Sequence, residues 1–143
     1  MTKLVIAKEW DYDCSEIKVL KWLKALLIDS PLWKFVPVGN NLVFDLSFIA
    51  ARMRMYFHVD LLMQLLNRPF IDLRHVLVMI NGGRFRNYSR MIGKEEFGSN
   101  VPVWYQNGQY EKIVDYVEMD ARAFVRTYSM LKRNLPTLAG LIA

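Results

Sequence analysis

The sequence predicts an α/β domain in which helices alternate with short strands. Apolar residues recur at helical spacing in several long stretches. Short β-branched runs bounded by Gly, Pro and Asn lie between them. At 143 residues, 53% apolar and 23% charged, the chain reads as globular rather than disordered, with residues 1–143 forming one domain around one core.

In chain order, "KLVIA" (Lys3 to Ala7) reads as a short strand. "CSEIKVLKWLKALLID" reads as a helix, because Ser15 can cap it, Glu16 suits its first turn, and Ile17, Leu20, Leu23 and Leu27 share a face. "SPLWK" breaks that helix, and "FVPVGN" follows as a strand whose Pro37 demands an end or an edge position. "DLSFIAARMRMYFHVDLLMQLL" reads as one or two helices. "NRPFIDL" returns to a strand, and "RHVLVMI" is a helix or a continued strand. "NGG" (Asn81 to Gly83) is the strongest turn signal. The stretch from Tyr110 to Lys132 is helical, with Pro136 beyond it as a stop.

No run approaches the roughly 20 uncharged apolar residues of a membrane span, and the first residues are too briefly apolar for a signal peptide. The expectation is a soluble, cytoplasmic protein. Cys14, the single cysteine, has no partner for an internal disulfide and reads as a small hydrophobe. The formal net charge of +5 tolerates a polyanionic partner. "GGRFRNYSR" interleaves Arg84, Arg86 and Arg90 with Phe85 and Tyr88, which suits stacking and phosphate contacts with single-stranded nucleic acid. Arg122, Arg126 and Arg133 fall on one side of a helix, and a solvated face is the simpler reading there.

Two motifs concentrate the chemistry. In "VGNNLVFDLSFI" a turn and three apolar residues precede Asp45 at the head of a helix. Either Asp45 caps that helix, or it stands at a strand's carboxyl end, where α/β folds collect functional groups. In "YEKIVDYVEMDARAF", Tyr116 and Asp120 lie four apart and share a helix face near Ile113, Ala123 and Phe124. A phenol and a carboxylate turned toward a core need a partner, either each other or a metal ion.

In this order and setting, "GNNLVFDLSFI" is similar to the second motif, and "YVEMD" to the third, of the 3′–5′ exonuclease domains with the ribonuclease H-like fold that carry a tyrosine in the third motif. The exonuclease domain of family B DNA polymerases and its stand-alone relatives look nearest. "FIDLRHVL" resembles the family's fifth strand and following helix, and the segment from Met91 through "GSNV" to Asp120 resembles its approach to the last helix. The resemblance spans about Cys14 to Leu135.

It implies a mixed sheet flanked by helices and two-metal hydrolysis of single-stranded DNA ends, with RNA as a further possible substrate. Asp45 and Asp120 would bind Mg²⁺ or Mn²⁺, Tyr116 would orient the attacking water, Asn40 or Asn41 would sit beside the substrate strand, and Phe44 would anchor the loop. Carboxylate oxygens suit such hard cations, and paired ions stabilise the attacking and leaving oxygens.

The family's first motif, an Asp-x-Glu on a central strand, has no counterpart. "KLVIA" resembles the third strand, which leaves the fold truncated at its N-terminal side by two strands; Glu9, Asp11 and Asp13 are the acids that would have to substitute. Two carboxylates alone should hold Mg²⁺ weakly, because the hydrated ion gives up water reluctantly. The expected activity is therefore weak or absent in this chain unless a complementing chain supplies the missing strands. The competing reading is a non-catalytic nucleic-acid-binding or assembly module on the same scaffold. Missing strands would leave edges open around "KLVIA" and "FVPVG", and a homodimer is the expected outlet.

Overall fold

The computed structural model describes residues 4–11, 15–84 and 98–134. Helix α1 spans Glu16–Lys24 and runs into a π-helical turn, Ala25–Asp29. Strand β1 (Val38–Gly39) leads to helix α2 (Leu42–Phe57) and the short helix α3 (Leu62–Leu66). Strand β2 (Ile71–Asp72) runs directly into helix α4 (Leu73–Ile80). A 3₁₀ turn, Gly98–Asn100, precedes helix α5 (Val101–Gln106) and the long helix α6 (Tyr110–Asn134). The chain divides into two compact units, one running Val5–Phe85 and the other built on α5 and α6.

The architecture is helix-rich, and among the described residues the sheet is a two-stranded parallel ribbon with Val38 opposite Ile71 and Gly39 opposite Asp72. Pro37 sits just outside it, where its missing N–H costs nothing, and its carbonyl accepts from Ile71 N at 2.9 Å. The expected strand at "KLVIA" is corrected: Leu4 to Ala7 carry no ladder, and Leu4 and Val5 are exposed. Lys3 lies outside the described residues. Composition marks a run as strand-compatible, but a strand exists only where another backbone pairs with it.

In the first unit, Ser15 caps α1 by accepting from Lys18 N. Leu20 and Leu27 are buried as the spacing predicts, whereas Ile17 faces outward. On α2, Leu46, Ala50 and Met53 form the buried stripe, and Leu61 and Leu65 close the core from the α3 side. α4 adds Leu73 and Leu77. Glu16 ties α1 to α2: Arg52 grips its carboxylate with two nitrogens, and Tyr56 Oη donates to it at 2.8 Å. The Arg52 guanidinium, followed by the Tyr56 hydrogen bond, outweighs partial burial and holds the Glu16 carboxyl below its usual range.

Arg68 is only 4% exposed. Its guanidinium donates to the carbonyls of Ser30, Pro31, Leu32 and Phe35 and to Ser30 Oγ, wrapping the loop that follows the π-helical turn. A cation at a helix C-terminus also meets the negative end of the helix dipole.

Both glycine turns end helices. Gly82 (φ +63°) and Gly108 (φ +67°) take the left-handed conformation that side chains resist. At each, the glycine N–H and the next N–H bond back into the last helical turn: Gly82 to Met79 and Gly83 to Val78, Gly108 to Tyr105 and Gln109 to Trp104. This is the Schellman ending, and the second one sets the approach of α5 to α6.

Candidate functional site

Two polar constellations stand out, one in each unit. The first lies where both parallel strands end, the position at which α/β folds present ligand-binding groups. β1 ends at Gly39, and a Cβ there would come within 2.6 Å of the Leu42 side chain, so glycine lets the turn close. Asn40 follows, and Asn41 adopts a left-handed conformation (φ +60°), which Asn tolerates better than most residues. α2 already begins at Leu42, so Asp45 belongs to its first turn rather than preceding it.

Asp45 is not the cap. That work falls to Asp72, the last residue of β2, which is 7% exposed. Its Oδ1 accepts from Asn41 N at 2.8 Å and from Arg74 N at 2.9 Å, and its Oδ2 from Leu42 N at 2.9 Å. One carboxylate thus satisfies the N-termini of two helices, which the opposed register of Gly39 and Asp72 makes possible. Arg74 Nη1 donates to Asn41 Oδ1 at 2.9 Å and braces the same turn.

A carboxylate in a helix's first turn is ordinarily stabilised by the helix dipole. Asp45 is not: partial desolvation, and then the nearby Asp72 charge, push its carboxyl above the usual range. Asn40 Oδ1 is buried and has no hydrogen-bond partner among the described residues. An orphaned acceptor and an exposed carboxyl with a raised pKa thus flank the same strand-to-helix turn. Phe44, expected to anchor the loop, is 67% exposed.

The second constellation lies on α6. Ile113, Thr127 and Leu131 form its buried stripe, and Tyr116 and Asp120 sit half-buried beside it, one turn apart. A Cβ on Gly98 would lie 3.1 Å from the Tyr116 hydroxyl, so the phenol ends close against the 3₁₀ turn. The Trp104 ring meets Tyr116 edge-on, with centroids 6.1 Å apart and an interplanar angle of 60°. Trp104, Lys112, Asp115, Tyr116 and Met119 line a cleft of about 320 Å³.

Asp45 belongs to the first unit, Tyr116 and Asp120 to the second. Glu9 and Asp11 are exposed, and Asp13 lies outside the described residues. So do Arg86 and Arg90; Arg84 is exposed. Arg122, Arg126 and Arg133 are exposed on α6, with Arg122 reaching Glu118 at 3.4 Å, which fits a solvated face. Among the described residues, no three His, Cys, Asp or Glu side chains gather as a metal cluster, and no helix is long and apolar enough to cross a membrane.

Sequence reasoning passed over two residues. Asp72 carried a local signal, an acid at a strand-to-helix junction, which marks it as the α4 cap. Trp104 carried none, because its pairing with Tyr116 depends on the turn between α5 and α6. Comparison with family models, curated proteins and solved structures finds no match to this chain.

Proposed function

We propose that the chain is a 3′–5′ exonuclease-type domain of ribonuclease H-like ancestry, acting on single-stranded DNA ends. Its hydrolysis is weak in the absence of a further pair of acids. The observation that carries this reading is the half-buried Tyr116–Asp120 pair on α6, with the phenol seated against Gly98. A phenol held this way suits the orientation of a water molecule, and a carboxylate one turn away suits a hard divalent cation.

Asp45 supports the same reading. A carboxyl pushed up by desolvation and by Asp72 gains from a neighbouring dication, which favours its ionised form. Asp45 and Asp120 are accordingly the residues that would hold Mg²⁺ or Mn²⁺. When bound, such ions supply charge stabilisation at the attacking and leaving oxygens. Asn40 and Asn41, in the turn before Asp45, and the exposed Phe44 are the residues that would flank a substrate strand.

The test is binding of a single-stranded DNA oligonucleotide with a free 3′-hydroxyl, followed by fluorescence anisotropy with and without Mn²⁺. Binding should tighten with Mn²⁺ and lose that gain in Asp120→Asn. Equal binding under both conditions would favour the non-catalytic nucleic-acid-binding module instead.

A further inference from the structure

We infer that the cleft between α5 and the first turns of α6 is a pocket for a single nucleobase, with Trp104 as its stacking surface and Lys112 as its phosphate contact. The inference rests on the exonuclease reading for its ligand class, since Tyr116 lines the pocket and is the proposed water-orienting residue. The pocket's shape and chemistry are independent of that reading.

Size comes first. At about 320 Å³ the cleft lies at the small end of the range for ligand pockets, roughly 300–1,000 Å³, so it suits one nucleoside rather than a stretch of strand. Its lining is specific as well. An indole, a phenol and the Met119 thioether offer polarisable surface, which every base can use through its π-face. The two charged groups are opposite in sign, Lys112 and Asp115, both exposed. A cleft of that balance is not built for a bare phosphate. It fits a ligand with an anionic end near Lys112 and hydrogen-bond donors near Asp115, such as a base's exocyclic amine or a sugar hydroxyl.

The framework around it is set. In the Schellman ending at Gly108 and Gln109, the Gln109 N–H donates to the Trp104 carbonyl at 2.8 Å, which ties that residue's backbone into the end of α5. The Tyr105 and Tyr110 rings, 5.7 Å apart, brace the same turn. Trp104 is therefore presented by a rigid corner, which limits the ordering cost of binding.

The experiment titrates the chain with deoxyadenosine 5′-monophosphate, without any divalent cation, and follows the Trp104 indole N–H by NMR. The nucleotide should shift that resonance, and deoxyribose 5-phosphate should bind at least about 5-fold more weakly, the factor that the lower end of base–aromatic stacking gives. With the backbone amide shifts of Lys112, Tyr116 and Met119 read in place of the lost indole, Trp104→Leu should remove the difference between the two probes, Trp104→Phe should keep most of it, and Lys112→Met should weaken both. An oligonucleotide ending in adenosine should likewise bind more tightly than one ending in an abasic site. Equal binding of nucleotide and sugar phosphate to the unmodified chain, or an unmoved Trp104 resonance, would overturn the inference whatever the variants do. Because no cation is present, that failure would leave the Mn²⁺-dependent DNA binding untouched, and the reverse failure would leave the pocket standing.

Discussion

Two turns of the first unit each bury one charge, and they do so in opposite ways. The loop Ser30–Phe35 folds around Arg68, whose guanidinium reaches four carbonyls and a hydroxyl. The turn before α2 folds around Asp72, whose carboxylate collects three backbone N–H groups. One is a cation among the carbonyls of a loop that leaves a helix end, the other an anion among helix N-terminal amides, as the helix dipole favours. The difference lies in what surrounds them. Beside Asp72, Asn40 Oδ1 has no partner among the described residues and the Asp45 carboxyl is pushed up. A buried polar group left unsatisfied costs stability, and such costs concentrate where a protein holds groups for a ligand. The Arg68 loop therefore reads as architecture, and the Asp72 turn as architecture with the candidate groups Asn40 and Asp45 beside it.

The largest test of that contrast is Arg68→Leu. Several buried carbonyls lose their donors together, so the substitution should cost about 3 kcal/mol or more, read as a lower urea midpoint with an unchanged slope. Asp72→Ala should cost somewhat less, about 2 kcal/mol, because water can reach part of the two helix ends it caps. Unlike the Arg68 change, it should also bring the Asp45 carboxyl back toward its usual range, observable by NMR titration of that carboxyl. If Asp45 titrates identically in both proteins, the charge of Asp72 is not what disturbs it.

Asp45→Asn should have the smallest effect and the opposite sign. A folded-state pKa above the unfolded one means that the fold favours the protonated acid. That advantage is present below the unfolded value, near pH 4, and is lost as pH rises through the raised folded value. At neutral pH the ionised Asp45 then costs a little stability, reduced by solvent screening because the side chain is exposed, so the neutral Asn should raise it slightly. The gain should disappear in melts recorded below about pH 4. Glu16 runs the other way. Its depressed carboxyl contributes stability above its unfolded pKa, lost as pH falls through the folded value, so Glu16→Gln should matter at neutral pH and not in acid.

The helices were legible because their signals are local. Ser15, the Leu20 and Leu27 spacing and the Asn81 to Gly83 turn each speak within a few residues, whereas α5 and its Gly108 ending were not read. The strands were legible only as candidates. "KLVIA" and "FVPVG" look alike in composition, yet only the second finds a partner, 33 positions away in the pairing of Val38 with Ile71. The π-helical turn at Ala25–Asp29 has no sequence signature of this kind. Arg68 was invisible for another reason: arginine is rarely buried without an acid, and nothing local announces a cage of carbonyls. Toward the candidate site, the motif resemblance pointed to Asp45, Tyr116 and Asp120, whose roles are the proposal made above. The role of Asp72 toward Asn41 and Leu42 was not legible, since it spans 30 residues or more and depends on the sheet register.

The central proposal is that Asp45 and Asp120, each within its own unit, serve as carboxylate ligands of divalent cations, and Mn²⁺ binding followed by electron paramagnetic resonance tests it most directly. The account predicts weak Mn²⁺ binding to the unmodified chain, reduced severalfold by Asp45→Asn and by Asp120→Asn and unaffected by the control Asp115→Asn. Mn²⁺ binding that neither Asp45→Asn nor Asp120→Asn diminishes would contradict it.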